Sequence, residues 1–302
     1  MQELESRTAQ SAAMRIVSLL PSSTEILFGI GAGPQVIGVT HECDFPAACL
    51  GLPHLTSSAL PATASPGDID RHVRASLHAG SSLYHLDAEL LERLQPDLIV
   101  TQELCEVCAV SYAIVDRAAR RLTPDSRIVS LEPSSLEDVF ANILYLGSLT
   151  ACGPQAGAMV TSLRERVDAL RSRSNDVRVR PRVLVLEWTD PPMSGGHWTP
   201  GLVALAGAEP VLGNPGANSV TLSWESIAAA DPDAIVVAPC GFNLAATRQA
   251  VAVLDSNPIW RALRAYREGR VHLMDGNAYL NRPGPRLVDT AEIMFSMLHP
   301  SA

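Results

Sequence analysis

Thiol and imidazole groups are the side chains of this 302-residue sequence whose types and spacing suit metal or redox chemistry. Cys105 and Cys108 form a Cys-x-x-Cys pair, which can share one metal ion or close a disulfide. Cys43 could supply a third metal ligand, and His41, His197 or Cys240 a fourth. No second pair at zinc spacing occurs in the sequence. The pattern allows three interpretations, a zinc or iron–sulfur site, a redox disulfide, or thiols that hold no cofactor.

Aromatic and guanidinium groups form a second set of candidates. Trp198 follows His197 after a Ser-Gly-Gly turn, and Tyr279, Arg282 and Arg286 lie close together near the end of the chain. The rings suit a wall for a large planar ligand, and packing of Trp198 under the following helix is the alternative. The guanidinium groups suit an anion or a carboxamide, and hydrogen bonds between loops are the alternative.

Several kinds of chemistry are excluded. All 23 basic residues are arginine, so the chain has no lysine for a Schiff base, a pyridoxal phosphate or a phosphate loop. The motifs G-x-G-x-x-G, G-x-S-x-G and H-E-x-x-H are also missing. A formal net charge of −9 argues against nucleic acid as a partner.

Short apolar runs alternate with helical patterns along the chain, which is typical of α/β proteins with parallel sheets. The predicted strands are residues 15–20, 36–40, 97–101, 127–131, 182–186, 234–238 and 271–274. Asp87 is the predicted N-cap of a helix at residues 87–94. Ligands collect beyond the carboxyl ends of parallel strands, so the loops after these strands form the predicted site.

The two halves of the chain share a short repeat. Residues 95–100 (QPDLIV) match residues 231–236 (DPDAIV), where a helix ends, Pro-Asp turns the chain and a buried strand begins. Between the halves, residues 155–172 carry apolar side chains at helical spacing on one face. The repeat predicts two similar lobes with a long helix between them.

The N-terminal residues bear on location. Residues 1–14 are polar and lack the basic and apolar segments of a secretion signal. No apolar run reaches the roughly 18 residues of a membrane span. The six cysteines do not resemble the framework of a small secreted protein. The sequence therefore predicts a cytoplasmic protein with reduced thiols and no membrane span.

From about residue 15 to residue 298, the sequence resembles the class III substrate-binding proteins, which bind vitamin B12 and siderophores for ABC importers. The resemblance rests on four segments, RIVSLLPSSTE at 15–25, VIGVT at 36–40, DFP at 44–46 and LQPDLI at 94–99. It is strongest to a subgroup labelled cobalamin-binding, which carries the HECD segment at 41–44 and the Cys105–Cys108 element.

The resemblance implies an α/β fold of two Rossmann-like lobes with mainly parallel sheets, joined by a long backbone helix, with ligand in the cleft. The corresponding boundaries are a polar tail at 1–14, a first lobe at 15–150, a backbone helix and linker at 151–178, and a second lobe at 179–302. It also implies a non-enzymatic binder of a corrinoid such as cobalamin, or of a related metal chelate. The expected ligand contacts are Ser23, Glu42, Asp44, His197, Trp198, Phe242, Tyr279 and Arg282.

The family also implies a partner. In its vitamin B12 binders an acidic residue on each lobe docks onto an ABC permease, and Glu89 and Glu209 are the expected counterparts. The polar N-terminus does not support such a permease partner, because docking would require export. The alternative function is a cytoplasmic metal, iron–sulfur or thiol-redox protein or enzyme that uses Cys105 and Cys108 with Cys43, or a metal-handling chaperone.

Overall fold

A computed structural model of the chain describes residues 14–58, 64–78, 84–102 and 112–300. The Cys105–Cys108 pair and nearly all of the polar tail at 1–14 lie outside these residues. The predictions that depend on the cysteine pair therefore stay predictions.

The described residues form strands and helices that alternate along the chain. In chain order the strands are β1 (Ile16–Ser18), β2 (Val36–Val39), β3 (Thr56–Ser58), β4 (Tyr84–Leu86), β5 (Leu98–Thr101), β6 (Arg127–Ser130), β7 (Arg182–Thr189), β8 (Pro192–Ser194), β9 (Glu209–Pro210), β10 (Ala234–Val237) and β11 (Val271–Leu273). The helices are α1 (Pro21–Gly29), α2 (Pro66–His78), α3 (Ala88–Leu94), α4 (Tyr112–Leu122), α5 (Leu136–Leu149), α6 (Gly153–Asn175), α7 (Thr199–Leu205), α8 (Trp224–Ala230), α9 (Leu244–Leu254), α10 (Pro258–Ala262), α11 (Arg264–Arg267) and α12 (Leu287–Leu298). A π-helical turn at Gly276–Leu280 precedes α12.

The first half of the chain folds around a parallel sheet in the order β2-β1-β5-β6. Its two central strands, β1 and β5, consist mainly of branched apolar residues and are buried on both faces, as expected for a parallel sheet covered by helices. Strands β3 and β4 form a separate antiparallel pair, and α2 lies in the segment that joins them. The Asp87 carboxylate accepts a hydrogen bond from the Leu90 N–H, so the predicted N-cap of α3 is confirmed.

The second half folds around a mixed sheet in the order β11-β10-β7-β8. Strands β11, β10 and β7 are parallel, whereas β8 returns antiparallel along the carboxyl end of β7. Strand β9 pairs in parallel with the start of β7. β7 extends to Thr189, three residues beyond the predicted end of the strand at 182–186, because β8 supplies hydrogen-bonding partners there.

The repeated Pro-Asp segments have the same structure in both halves. Gln95 and Asp231 end α3 and α8 in the left-handed conformation, with φ of 39° and 41°. In the first half an Asp97 carboxylate oxygen accepts a hydrogen bond of 2.7 Å from the Arg15 N–H. In the second half Asp233 accepts one of 2.7 Å from the Arg182 N–H. The two sheets are therefore built by equivalent local interactions.

Helix α6 connects the halves and extends slightly beyond the predicted residues 155–172. Its buried side chains recur every three or four residues, namely Ala156, Val160, Leu163, Val167 and Leu170. These side chains belong to a continuous apolar core that also contains Ile16 and Val100 of the first sheet and Val183 and Val236 of the second. The two lobes thus share one core along α6. Within the described ranges, none of the helices is both long and apolar enough to cross a membrane.

Candidate functional site

The loops beyond the carboxyl ends of the two sheets contact each other. We call their meeting place the cleft, formed by residues 41–46 of the first lobe and by residues 187–198, 217–219, 239–243 and 275–282 of the second. Asp44 follows β2, and its carboxylate accepts a hydrogen bond of 2.9 Å from Asn277 Nδ2 after β11. Helix α2 also reaches the second lobe, because a Cβ atom on Gly67 would overlap the Asp190 carboxylate. The cleft is therefore bounded by residues of both lobes, as the strand-end rule predicts.

A buried ion-pair network joins the lobes at one side of the cleft. The Arg282 side chain is 4% exposed and lies 3.2 Å from the carboxylate of Glu25, which is 2% exposed. Arg282 also pairs with Asp44, and it donates to the Glu42 carbonyl at 3.3 Å and to Asn277 Oδ1 at 3.0 Å. The guanidinium is thus engaged in hydrogen bonds between loops, which is the alternative interpretation of Arg282.

The same network shifts the ionisation of Asp44. Burial raises the pKa of this carboxyl, but the hydrogen bonds from Arg282 and Asn277 and the charge of Arg282 outweigh burial. The net pKa of Asp44 is lowered from its usual value. Asp44 is therefore ionised at neutral pH and offsets the positive charge of Arg282.

Arg286 completes the network from the other side of Glu25. Its Nε donates a hydrogen bond of 2.9 Å to Glu25 Oε2. The guanidinium carbon lies 4.4 Å from the centre of the Phe45 ring and 5.6 Å from the centre of the Tyr279 ring. Tyr279 also lines an open groove beside α12, together with Phe45 and Arg286. The structure thus places Tyr279 against Arg286 at this edge of the cleft.

His41 and Glu42 form the wall of the first lobe. His41 Nδ1 lies 2.6 Å from Thr56 Oγ1, and Nε2 lies 3.1 Å from a Glu42 carboxylate oxygen. The His41 ring is 5.3 Å from the ring of Tyr84. These contacts hold the imidazole against β3 and β4, and both predicted residues follow the end of β2 in the first sheet.

Two predicted site residues lie inside the first lobe. Ser23 is fully buried, its hydroxyl is 2.6 Å from that of Ser18, and it donates to the Leu20 carbonyl. Cys43 is 2% exposed and its sulfur lies 3.1 Å from Thr24 Oγ1. Burial raises the pKa of the Cys43 thiol to about 12, so the thiol is protonated at neutral pH. The Ser23 hydroxyl and the Cys43 thiol therefore face the core, away from a ligand between the lobes.

Aromatic rings form part of the wall of the second lobe. Phe242, a predicted contact, packs edge to face against Trp188 with ring centres 5.4 Å apart. The Trp188 indole donates a hydrogen bond of 3.1 Å to the Asp190 carbonyl. Trp188 was not among the predicted contacts, although its position two residues after the predicted strand at 182–186 could have indicated it. Both rings are half-buried, so they retain a surface that a ligand can contact.

His197 and Trp198 differ in their surroundings. His197 has a positive φ of 49°, and its Nε2 lies 3.1 Å from Asn218 Oδ1 at the exposed side of the loop. The Trp198 indole donates a hydrogen bond of 2.8 Å to the Leu280 carbonyl and packs against the shared core. The structure matches the packing alternative for Trp198, since its polar atom is already engaged.

Glu187 is a cleft residue that the predicted contacts omit. It lies near the carboxyl end of β7, and its carbonyl accepts a hydrogen bond of 3.1 Å from the N–H of Cys240. Burial raises the pKa of its carboxyl to about 7, and interactions with the Ser219 side chain and the Gly196 N–H offset this only in part. A carboxylate at the end of an otherwise apolar strand is the sequence signal that could have identified it.

The predicted metal ligands do not come together within the described ranges. The structure contains no group of three or more His, Cys, Asp or Glu side chains there that could hold a metal ion. His41 lies at the first sheet, Cys43 lies in the core, and Cys240 follows β10. The predicted site also requires Cys105 and Cys108, which lie outside the described residues.

The predicted docking residues Glu89 and Glu209 lie in different kinds of element. Glu89 is the second residue of α3, and it is exposed. Glu209 lies in β9, where it is the backbone pairing partner of Arg182 in β7. Its position in the second lobe is therefore not equivalent to that of Glu89 in the first lobe. The residue that matches Glu89 is Glu225, the exposed second residue of α8. Both helices are seven residues long and end at the repeated Pro-Asp segments.

Known proteins resemble the chain over nearly its whole length. A vitamin B12-binding protein of Vibrio cholerae is 22% identical over 293 residues, covering 93% of this chain and 87% of that protein. A cobalamin-binding protein of Halobacterium salinarum is 24% identical over 295 residues, covering 97% and 71%. The crystal structure of a periplasmic heme-binding protein from Pseudomonas aeruginosa superposes with a TM-score of 0.72 at 23% identity, covering 96% and 94%.

A family model described as periplasmic binding protein matches residues 16–278. The matched region begins at β1, includes both parallel sheets and α6, and ends within the π-helical turn. The match confirms the predicted resemblance to class III substrate-binding proteins, and the solved structures confirm the predicted fold of two α/β lobes joined by a long helix. The chain belongs to the periplasmic binding protein family.

Proposed function

We propose that the protein binds a corrinoid, such as cobalamin, or a closely related metal chelate in the cleft between its lobes. Relatives named for vitamin B12, cobalamin and heme support the coarser statement that the ligand is a metal chelate. The choice of a corrinoid rests on the charges of the cleft.

The choice of a corrinoid over a heme rests on one observation. Acidic side chains already compensate the positive charges of Arg282 and Arg286 in the described part of the cleft. Arg282 and Arg286 are engaged by Glu25 and Asp44, so neither guanidinium is left to neutralise a ligand. Heme carries two carboxylates, which need such cations or solvent, whereas the carboxamides around a corrin ring are uncharged. A buried anion without a partner is strongly disfavoured, so the cleft favours the uncharged periphery.

Aromatic side chains supply the apolar contact that a macrocycle requires. Trp188 and Phe242 pack against each other on the second lobe, and both remain partly accessible. We expect Trp188→Ala to weaken the binding of cyanocobalamin by about tenfold, because a large ring surface leaves the site. Titration calorimetry measures the effect, and Tyr145→Ala on the exposed side of α5 is the matched control. Equal affinities of the wild type and the Trp188 variant would contradict this placement of the ligand.

An ABC permease is the proposed partner. A solved relative is an ABC transporter substrate-binding protein of Listeria monocytogenes, with a TM-score of 0.72 at 20% identity. Glu89 and Glu225 are exposed at equivalent positions of the two lobes, which suits a partner with two similar halves. The cytoplasmic location stays a prediction. A permease partner requires the opposite location, because the permease of an importer receives its ligand outside the cytoplasm.

A further inference from the structure

Helix α2 crosses from the first lobe to the second beside the walls of the cleft. In the first lobe it belongs to the segment that joins β3 and β4, the strands against which His41 is held. In the second lobe it packs against β7, and a Cβ atom on Gly67 would overlap the Asp190 carboxylate. Asp190 directly follows β7, and its carbonyl accepts the hydrogen bond from the Trp188 indole. Helix α2 therefore connects the walls that carry His41 and Trp188.

The inter-lobe network and α2 contact opposite edges of the second sheet. The strand order is β11-β10-β7-β8, so β11 is one edge and the turn between β7 and β8 lies at the other. Arg282 follows β11, whereas Asp190 lies in the turn between β7 and β8. A chelate between the lobes would therefore have a bridge to the first lobe at each edge of the second sheet.

The two bridges differ in how firmly they are held. In the network, Arg282 is 4% exposed and pairs across the lobes with Glu25, which is 2% exposed. In α2, the side chains of residues 66–75 are half-buried or exposed, and Asp190 is exposed. The described ion pairs of α2 lie within the helix and join Arg71 to Asp68 and Arg74 to Asp70. Segments with few buried contacts open at a lower free energy than buried networks, so α2 is the bridge that opens more easily.

The Asp190 carboxylate can hold α2 against the second lobe without a buried ion pair. It lies against Gly67, the second residue of the helix. The first turn of a helix carries a partial positive charge, which attracts a carboxylate. Because Gly67 has no side chain, the carboxylate can approach the helix closely. The contact is thus attractive but weak enough to be broken repeatedly.

We infer that α2 is a gate over the cleft, held closed by the contact between Gly67 and Asp190, and that a chelate enters and leaves when α2 lifts from the second lobe. The inference rests on the proposed function, because it concerns the ligand that the cleft binds. It adds the element that controls access to that site. A gate of this kind changes the rates of binding and release more than the affinity.

A disulfide across the contact tests the gate. A Cβ atom on Gly67 would lie 3.3 Å from Asp190 Cγ, so cysteines at these two positions are close enough to bond. In the double variant Gly67→Cys, Asp190→Cys, oxidation should slow the association of cyanocobalamin by about tenfold or more, and dithiothreitol should restore it. Closing the disulfide after the ligand has bound should slow release in the same way. Stopped-flow tryptophan fluorescence measures both rates.

The two single cysteine variants are the matched controls for the disulfide. Their rates should be the same before and after oxidation, because neither can close the cross-link between α2 and the second lobe. Mass spectrometry verifies the cross-link, and circular dichroism verifies that each variant is folded. Two cysteines that fail to cross-link in the folded protein would contradict the contact on which the gate depends.

Removing the carboxylate tests the gate in the opposite direction, and it keeps the test open if the double variant does not fold. Asp190→Ala should speed both association and release by about two- to fivefold, because the closed position loses the attraction between the carboxylate and the helix. The Kd should stay close to that of the wild type. Asp125→Ala is the matched control, since Asp125 is exposed just before β6, at the end of the first sheet away from the cleft. A change in only one of the two rates would contradict a gate.

The outcomes separate this inference from the proposed function. If cyanocobalamin binds but the oxidised double variant and Asp190→Ala bind and release it at wild-type rates, α2 is not a gate and the proposed function stands. If cyanocobalamin binds to neither the wild type nor any variant under reducing conditions, the proposed function fails and the gate fails with it.

Discussion

Two carboxyl groups near the cleft, those of the buried Glu25 and the half-buried Glu187, have opposite electrostatic surroundings. Glu25 lies between the guanidinium groups of Arg282 and Arg286, and these pairs join the first lobe to the second. Burial raises the pKa of Glu187 from 4.5 to about 7, and among the described residues the interactions that offset burial come from neutral groups, the Ser219 side chain and the Gly196 N–H. The first group serves inter-lobe structure, whereas the pKa of the second is set mainly by burial.

Glu187 should make the folded protein less stable as the pH rises. Its pKa is about 7 in the folded state and near 4.5 when it is solvated, so between these values the folded state holds a proton that the unfolded state has lost. The free energy of unfolding should therefore fall across this range, by about 3 kcal/mol at most. Urea unfolding at several pH values measures this, and Glu187→Gln should remove that part of the dependence. Parallel pH profiles for the two proteins would contradict the assignment.

Arg282 should contribute strongly to stability because its removal leaves the buried Glu25 carboxylate without one of its two arginine partners. We expect Arg282→Met to lower the free energy of unfolding by about 3–5 kcal/mol. Arg171→Met is the matched control, since Arg171 pairs with Asp168 on the exposed face of α6, and it should change stability by about 0.5 kcal/mol or less. Urea denaturation measures both variants. A loss below about 1 kcal/mol for Arg282→Met would show that the network is not needed for the fold.

Individual residues differ in how well the sequence predicts them. Asp87 was predictable as an N-cap because its hydrogen bond to the Leu90 N–H is local. The contact between Arg282 and Glu25 joins residues 257 positions apart, and no local pattern marks it. Ser23 lies in a family motif, yet the fold turns its hydroxyl to Ser18, since the start of α1 is packed inside the lobe.

At the scale of elements, α3 and α8 present the proposed docking groups. Reversing the charge in Glu89→Arg or Glu225→Arg should greatly weaken binding to the cognate permease, because each removes one of two equivalent contacts. Glu209→Arg is the matched control, and it should bind as the wild type does. Co-purification with the permease in detergent measures the interaction. Loss of binding in the Glu209 variant, with binding retained in the Glu225 variant, would contradict the assignment of Glu225. It would support Glu89 and Glu209 as the docking residues, as expected from sequence alone.

Elements with their own periodicity were predictable, and those defined by a distant partner were not. The long helix was indicated by apolar residues at helical spacing, and the structure extends it only to Gly153–Asn175. Strand β9 has two residues and exists only because it pairs with β7, so no alternation of residues indicates it. The extra residues of β7 likewise depend on β8, which returns after Pro191.

At the scale of the whole molecule, the two lobes share one apolar core around α6. We therefore expect the chain to unfold as a single cooperative unit rather than lobe by lobe. Tryptophan fluorescence reports only the second lobe, because Trp188, Trp198, Trp224 and Trp260 all lie there, whereas far-ultraviolet circular dichroism reports both lobes. The urea transitions from the two signals should coincide. Two transitions with different midpoints would contradict a shared core.

The position of the site is a property of the whole molecule, because both lobes form it. The strand-end rule places it between the sheets, and the contact of Asp44 with Asn277 at this edge agrees with that rule. The compensation of the Arg282 charge was not predictable, because it arises only when both lobes are assembled on α6. Because the charge of Arg282 is compensated, we expect the cleft to favour a ligand with uncharged side groups over an anionic one.

The most direct test of the central claim is a parallel titration of the wild-type protein with cyanocobalamin and with hemin, followed by calorimetry and visible absorption. Our account predicts saturable binding of one cyanocobalamin per chain with a Kd below about 10 μM, and binding of hemin at least about tenfold weaker. Tighter binding of hemin, or no heat and no spectral change with cyanocobalamin at about 100 μM, would contradict it.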